Sequence, residues 1–344
     1  MKGSKMWKML LVVATMMLVL AACGGKSGES SSGNGGGGSE QSSSGSGNGQ
    51  ASEGAAAQTG SGPKYRIGAA TQGLSHEFIK ALVEAMQEKA DELNVELIVM
   101  DSQDKIEEQL NQVDNLVSQK VDAVILNAVD FVGSSPAVDK VKEAGIPLVE
   151  AITFTQNENY DVFVGTDPEQ SGIMMGEILA ELLDGKGNVA LLQGQIGHSA
   201  EITRGNGMKI SLLDKYPDVK LITQQTANWN RDEAMSITED WLQRFPEINA
   251  IAAQNDEMAM GALQAVEAAG RTDIFVVGID GIPDAMKAVK EGRLAATVLD
   301  NVTEEGKRAV EVAVGLIEGE KFEKKELVDY IPITKDNVDQ YYNE

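Results

Sequence analysis

The sequence predicts an α/β fold on open parallel sheets, and three observations carry that prediction. From about Pro63 onward, short apolar runs alternate with stretches of helical period. The runs are continuous in apolar character, as expected of parallel strands buried on both faces. The patterned region also extends for roughly 280 residues, room for two lobes of ordinary size.

In chain order, the first strand is expected over 65–70. An amphipathic helix over 76–93 follows, with Phe78, Ile79, Leu82, Val83 and Met86 on one side. A strand over 95–100 leads to a helix over 105–120 that aligns Ile106, Leu110, Val113, Leu116 and Val117. Strands are then expected over 123–127, 147–152 and 162–164. Asp167 and Pro168 supply an N-cap and a first-turn proline for a helix over 169–183. Strands over 189–193 and 221–226 come next, and Asn230 with Glu233 forms a capping-box-like start to a helix over 233–245. The remaining strands are 250–253, 275–278 and 295–299, while Gly145, Gly185 and Gly270 sit where helices should end. Repeated βα units imply right-handed crossovers and parallel pairing.

In such sheets a ligand sits beyond the carboxyl ends of the strands. The polar and aromatic residues there are 72–77, Asn127, Asp130, Glu150, Thr153, 195–201, 228–230, Asn255, Asp256, Asp280, Asp300 and Asn301. Asn, Asp and Trp dominate. That mixture suits a small polyhydroxylated ligand, with amides and carboxylates on hydroxyls and an aromatic face on C–H groups.

Residues 1–22 read as a signal peptide. Lys2, Lys5 and Lys8 form its basic start, and an apolar core ends in Leu20-Ala21-Ala22-Cys23. That tetrapeptide resembles the lipobox of bacterial lipoproteins, which implies lipidation of Cys23, the single cysteine. Residues 24–62 hold 14 Gly and 11 Ser in 39 positions, with no Val, Ile, Leu or aromatic residue, and so have nothing to bury. A Gly/Ser tether of that length has an r.m.s. reach of about 34 Å. Loss of the three leader lysines deepens the net charge from −24 to −27. A nucleic-acid partner would need a basic face, which this balance argues against.

Other chemistry is poorly supplied. His76 and His198 are the only histidines, without metal-ligand spacing, and no metal or cofactor site is expected. His198 reads as a loop or capping residue, and His76 as a candidate ligand contact at a helix start. Gly194-Gln195-Ile196-Gly197 lacks the Lys-Ser/Thr ending of a phosphate loop and reads as a tight βα turn. No nucleophile elbow or catalytic cysteine is present, so no catalytic residue is assigned.

Several separate motifs resemble the ribose-type periplasmic sugar-binding proteins of ABC transporters: the run 253–262 around Asn255 and Asp256, Val277-Gly278-Ile279-Asp280-Gly281, Leu294-Ala295-Ala296-Thr297, and Asp101-Ser102-Gln103. The resemblance spans 65–332. It implies two doubly wound parallel-sheet lobes joined by a three-crossing hinge, of the type I periplasmic-binding-protein kind. By the same analogy one lobe is 63–165 with 301–328, and the other 166–300 with 329–344. The implied activity is capture, not catalysis: a sugar or sugar-like polyol is held between the lobes and passed to an ABC permease in the membrane. A sensory protein presenting its ligand to a membrane receptor is the alternative.

Position by position, the resemblance implies ligand contacts at Phe78, Asn127, Trp229, Asn255, Asp280 and Asp300, with Glu77 and His76 at the first helix start. It also shows departures. Ile152-Thr153 replaces an Asp-Arg pair, Ile202 stands where a second arginine is expected, and Arg204 matches an arginine outside the usual contact set. Glu77 replaces an aromatic, Ser75 an Asn. A site with Glu77, Asp280, Asp300 and either Glu150 or Glu201, and no nearby arginine, would be unusually acidic. Two ligand classes follow: a cationic amino sugar that relieves the buried charge, or a neutral pentose, hexose or polyol if the acids are turned aside or capped.

Overall fold

The computed structural model describes residues 63–342. The leader, Cys23 and the Gly/Ser segment lie outside the described residues. The described residues begin with β1 (Arg66–Thr71), α1 (Glu77–Glu92), β2 (Glu96–Asp101), α2 (Ile106–Ser118), β3 (Ala123–Leu126), α3 (Ser135–Glu143), β4 (Leu148–Ala151) and β5 (Val162–Gly165). It continues with α4 (Gln170–Leu182), β6 (Lys186–Gln193), α5 (Ser199–Met208), β7 (Asp218–Thr226), α6 (Arg231–Arg244), β8 (Ala250–Ala253) and α7 (Asp256–Ala268). The last elements are β9 (Phe275–Val277), α8 (Pro283–Glu291), β10 (Thr297–Leu299), α9 (Val302–Glu318), β11 (Lys325–Leu327) and β12 (Ile331–Ile333).

Two sheets result. The first is wholly parallel in the order β2-β1-β3-β4-β5-β11. The second runs β7-β6-β8-β9 in parallel; bridges at Val277–Ala296 and Asp280–Leu299 attach β10, and β12 pairs antiparallel to β10. The chain passes between the sheets three times: after β5, after β10, and between β11 and β12.

Each sheet is covered on both faces, which is why its strands read as continuous apolar runs. In the first lobe, Leu82 and Met86 of α1 meet Val310 and Ala313 of α9 on one face. Val113 and Leu116 of α2 join Val138 and Val141 of α3 on the other. The second lobe packs Met175 and Leu179 of α4 with Met208 of α5 on one side. Trp241, Met258, Leu263, Met286 and Val289 from α6, α7 and α8 fill the opposite side.

Helix starts follow the sequence closely. Asn230, Asn255 and Asn301 each accept from the backbone N–H three residues on, at 3.0, 2.9 and 3.4 Å. The capping box at Asn230 is only half formed. Its own N–H is already bonded to the Ala227 carbonyl, so the Glu233 carboxylate takes the Asn228 amide instead. Asp167 does not cap α4, which starts at Gln170; it makes a turn just before it, accepting from Glu169 N–H at 3.3 Å. Gly145, Gly185 and Gly270 adopt φ of +71°, +69° and +68° at helix ends, as their positions implied.

Helix α7 crosses α6 at Gly261. A Cβ there would stand 2.1 Å from the Arg231 carbonyl oxygen, and a backbone atom cannot swing aside. Gly261→Ala is expected to cost about 1–3 kcal/mol in overpacking. Urea unfolding checks it as a lower midpoint with an unchanged slope.

Candidate functional site

The carboxyl ends of both sheets face a shared cleft where the lobes meet. The first lobe contributes Gln72 after β1, His76, Phe78 and Ile79 at the start of α1, and Ile152 and Thr153 after β4. The second contributes His198, Ala200 and Arg204 around α5, Trp229 after β7, Asn255 at the start of α7, and Asp280 after β9.

The walls differ in character. Phe78, Ile79 and Ile152 give the first lobe an apolar surface. Ile152 reaches it from a tight turn in which Thr153 N–H bonds the Ala151 carbonyl at 2.7 Å, with Ile152 at φ +65°. A β-branched residue rarely adopts that region, and such strain gathers at ligand sites. Trp229 and Asp280 also have positive φ, +62° and +126°. The Trp229 ring lies over Gly194, where a Cβ would sit 2.0 Å from it. Gly194 thus makes room for the aromatic wall. The buried Nε1 of Trp229 has no hydrogen-bond partner among the described residues.

Charge enters the cleft as a pair. Arg204 Nη2 meets Asp280 Oδ1 at 3.2 Å with both side chains buried, and its Nη1 donates to the Gln254 carbonyl. The guanidinium also stands over the Trp229 ring, 5.9 Å from its centroid. Burial drives the Asp280 carboxyl upward in pKa, and Asp256 and Asp300 add to that, while Arg204 pulls it down. Asn255 gives its oxygen to the α7 N-terminus, which leaves its amide nitrogen for the cleft.

His198 does more than cap. Its Nδ1 accepts from Ala200 N–H at 3.2 Å, so the ring proton is on Nε2, which donates to Gln72 Oε1 at 2.8 Å across the cleft. Burial, Arg204 and His76 lower its pKa to about 3, so the ring is neutral. It also meets Trp229 edge-on, with centroids 5.2 Å apart. Phe131 N–H to the Gly197 carbonyl at 2.9 Å and Phe154 N–H to Ser199 Oγ at 3.3 Å complete the contact between lobes. His76 is held by both oxygens of Asp104, at 3.0 and 3.1 Å.

Of the residues expected from sequence, His76, Phe78, Trp229, Asn255 and Asp280 come together around this cleft. Asn127 does not line it. Its amide is fully used inside the first lobe, accepting from Gln72 N–H and donating to Ala151 O and Thr153 Oγ1, so it ties the ends of β1 and β4. Glu77 and Asp300 line a wider neighbouring recess that shares Phe78 and Asp280 with the cleft. Neither Glu150 nor Glu201 lines the cleft. Glu150 is buried, with Oε1 bonded to Thr155 and its pKa raised by burial to about 8. Glu201 accepts from Gln193 at 2.9 Å. An acidic site without arginine is therefore a misreading, corrected by Arg204. The α5 pattern carried the signal: Glu201, Arg204 and Met208 share its buried face, while Ile202 is exposed.

A family model described as periplasmic binding protein domain matches residues 67–321. The chain belongs to the periplasmic binding protein family. Among members of this family it is 40% identical over 275 residues to a xylitol-binding protein of Mycolicibacterium smegmatis, covering 80% of this chain and 78% of that one. It is 32% identical over 266 residues to the ribose import binding protein RbsB of Bacillus subtilis, covering 77% and 86%. An ABC transporter solute-binding protein of Bacillus halodurans, solved with myo-inositol bound, superposes with a TM-score of 0.78 at 37% identity, covering 82% and 99%. Family membership accounts for the paired parallel-sheet lobes and the strand-end cleft. Among the described residues, no helix is long and apolar enough to cross a membrane.

Removing Arg204 strands Asp280. Arg204→Leu is expected to cost about 3–5 kcal/mol at neutral pH, and less at pH 5, where Asp280 takes up a proton more readily. Adding Asp280→Asn should recover most of the loss. Urea unfolding of both variants at the two pH values checks this.

Proposed function

We propose that this protein is a lipid-anchored receptor that closes over one uncharged polyol (a sugar, sugar alcohol or cyclitol) and delivers it to an ABC permease. The observation that carries the ligand class is the buried Arg204–Asp280 pair. Each charge is answered within the protein, so the cleft offers a neutral guest donors, acceptors and aromatic faces, and offers no unpaired charge to a charged one. Phe78, Ile79 and Ile152 take the C–H-rich side of the guest, and Trp229 stacks opposite. Asn255, Asp280 and Arg204 take its hydroxyls. The xylitol-binding relative and the myo-inositol complex support this reading over an amino sugar.

Binding acts by population shift. A guest touching both lobes favours the form in which Gln72 meets His198 and Phe131 meets Gly197. Attachment is read from Leu20-Ala21-Ala22-Cys23, and the Gly/Ser segment 24–62 gives the receptor reach from the bilayer. Delivery needs a surface that reports closure. Val132 and Ile196, 56% and 59% exposed, flank the Phe131–Gly197 bond from opposite lobes and adjoin only when the lobes meet.

Calorimetry over xylitol, myo-inositol, ribose, allose and glucosamine tests the ligand class. Neutral polyols should bind and quench or shift Trp229 emission. Glucosamine binding with no neutral polyol bound would refute the reading. Trp229→Ala should weaken the best ligand at least tenfold. The paired change Val132→Glu with Ile196→Glu should leave that affinity intact and abolish uptake by cells carrying the permease; unimpaired uptake would remove this rim from delivery.

A further inference from the structure

The second chain crossing holds a buried acid pair that the cleft does not explain. Asp300 follows β10 on the second-lobe side, and Glu305 lies in the first turn of α9 on the first-lobe side. They are 2% and 0% exposed, and their carboxyls meet. Among the described residues, none of the four oxygens accepts a hydrogen bond of ordinary geometry, though the Tyr330 hydroxyl, from the third crossing, stands beside Asp300.

The charged groups around this pair are Arg204 from α5, Asp280 beyond β9, and Glu304 next to Glu305 in α9. Asp256, at the start of α7, bears on Asp280. Its own charge is held within the second lobe by Thr297 Oγ1 at 2.7 Å and by the N–H groups of Gly281 and Ile282 at 2.7 and 3.1 Å. The α9 N-terminus offsets one negative charge at the pair, with Arg204, already bonded to Asp280, acting at longer range. A second, in contact and away from water, is too costly.

We propose that Asp300 and Glu305 share one proton in the closed receptor and release it when the hinge opens, so that capture of the ligand takes up a proton. The crossing at Asp300–Asn301 separates the two carboxyls when it bends, and water then lets both ionise. Burial acts in the same direction, raising Asp300 to about 6 and Glu305 well above the ordinary carboxylate range. Groups whose pKa is raised on closure favour closure at low pH, and that contribution is lost as pH rises through their closed-state titration. Glu305 does not line the cleft; it is a positioning residue acting through Asp300. The ligand side of the proposal rests on the polyol reading above.

The test is calorimetry with xylitol and myo-inositol from pH 5 to 9, in buffers of differing ionisation enthalpy. The native protein should take up part of a proton on binding and lose affinity as pH rises above the open-state carboxylate range of about 4–4.5, by as much as tenfold per pH unit until the closed pair titrates. Glu305→Gln should abolish the uptake and flatten the slope while keeping low-pH affinity. A flat native profile, or a slope that survives Glu305→Gln, overturns the proposal. If neither polyol binds, the polyol reading fails, and thermal unfolding judges the proton separately. Glu305→Gln should then melt a few degrees above the native protein at pH 8, with the gap closing at pH 4.5; a constant gap overturns the proposal.

Discussion

Arg204 brings a full positive charge into a region where the cleft and hinge have buried Asp280, Asp300 and Glu305. Its placement organises what surrounds it. Asp280 is oriented by the guanidinium and so stands in the cleft wall. Trp229 takes the face of the same guanidinium and is pressed onto Gly194. The Gln254 carbonyl anchors the far side, and the Gln254 side chain accepts from Gly194 N–H and donates to the Glu201 carbonyl. One ionic contact thus sets the floor of the second lobe's half of the cleft.

Much of the fold was legible because parallel strands buried on both faces cannot hide their apolar character. The exceptions are instructive. β11 reads Lys-Glu-Leu and β12 reads Ile-Pro-Ile, three residues each. Both join their sheets at an edge, where one side needs no partner and a proline or charge is tolerated, so no apolar run marks them. Their place is set by the chain's return across the hinge, which is a tertiary constraint.

The lining of the cleft was legible where a residue stands just past a strand end, as with Phe78, Trp229, Asn255 and Asp280. It was misread where the role depends on which side of an element a residue faces. Ile202 occupies the position expected for arginine, but it lies off the buried face of α5, and Arg204, half a turn on, reaches the cleft instead. Asn127 stands at a strand end too, yet three neighbouring backbone and hydroxyl groups claim its amide first. Hydrogen-bond competition inside a lobe leaves no trace in a single sequence. Neither does the meeting of Asp300 with Glu305, since it needs the helix start between them to turn both inward.

The three crossings also bear on how the chain acquires its structure. Neither lobe is continuous in sequence. The first lacks one layer of its core until α9 supplies Val310, Val312 and Ala313, and Gly306 lets that helix sit against the α1 backbone at Leu82. The second receives β12 and the buried side chains of Ile333 and Val338 still later. A chain emerging from its amino end therefore cannot close either core until nearly all of it is available. The dispersed topology delays commitment to the native state, leaving a long nascent chain loose enough to be threaded through a narrow passage before it folds.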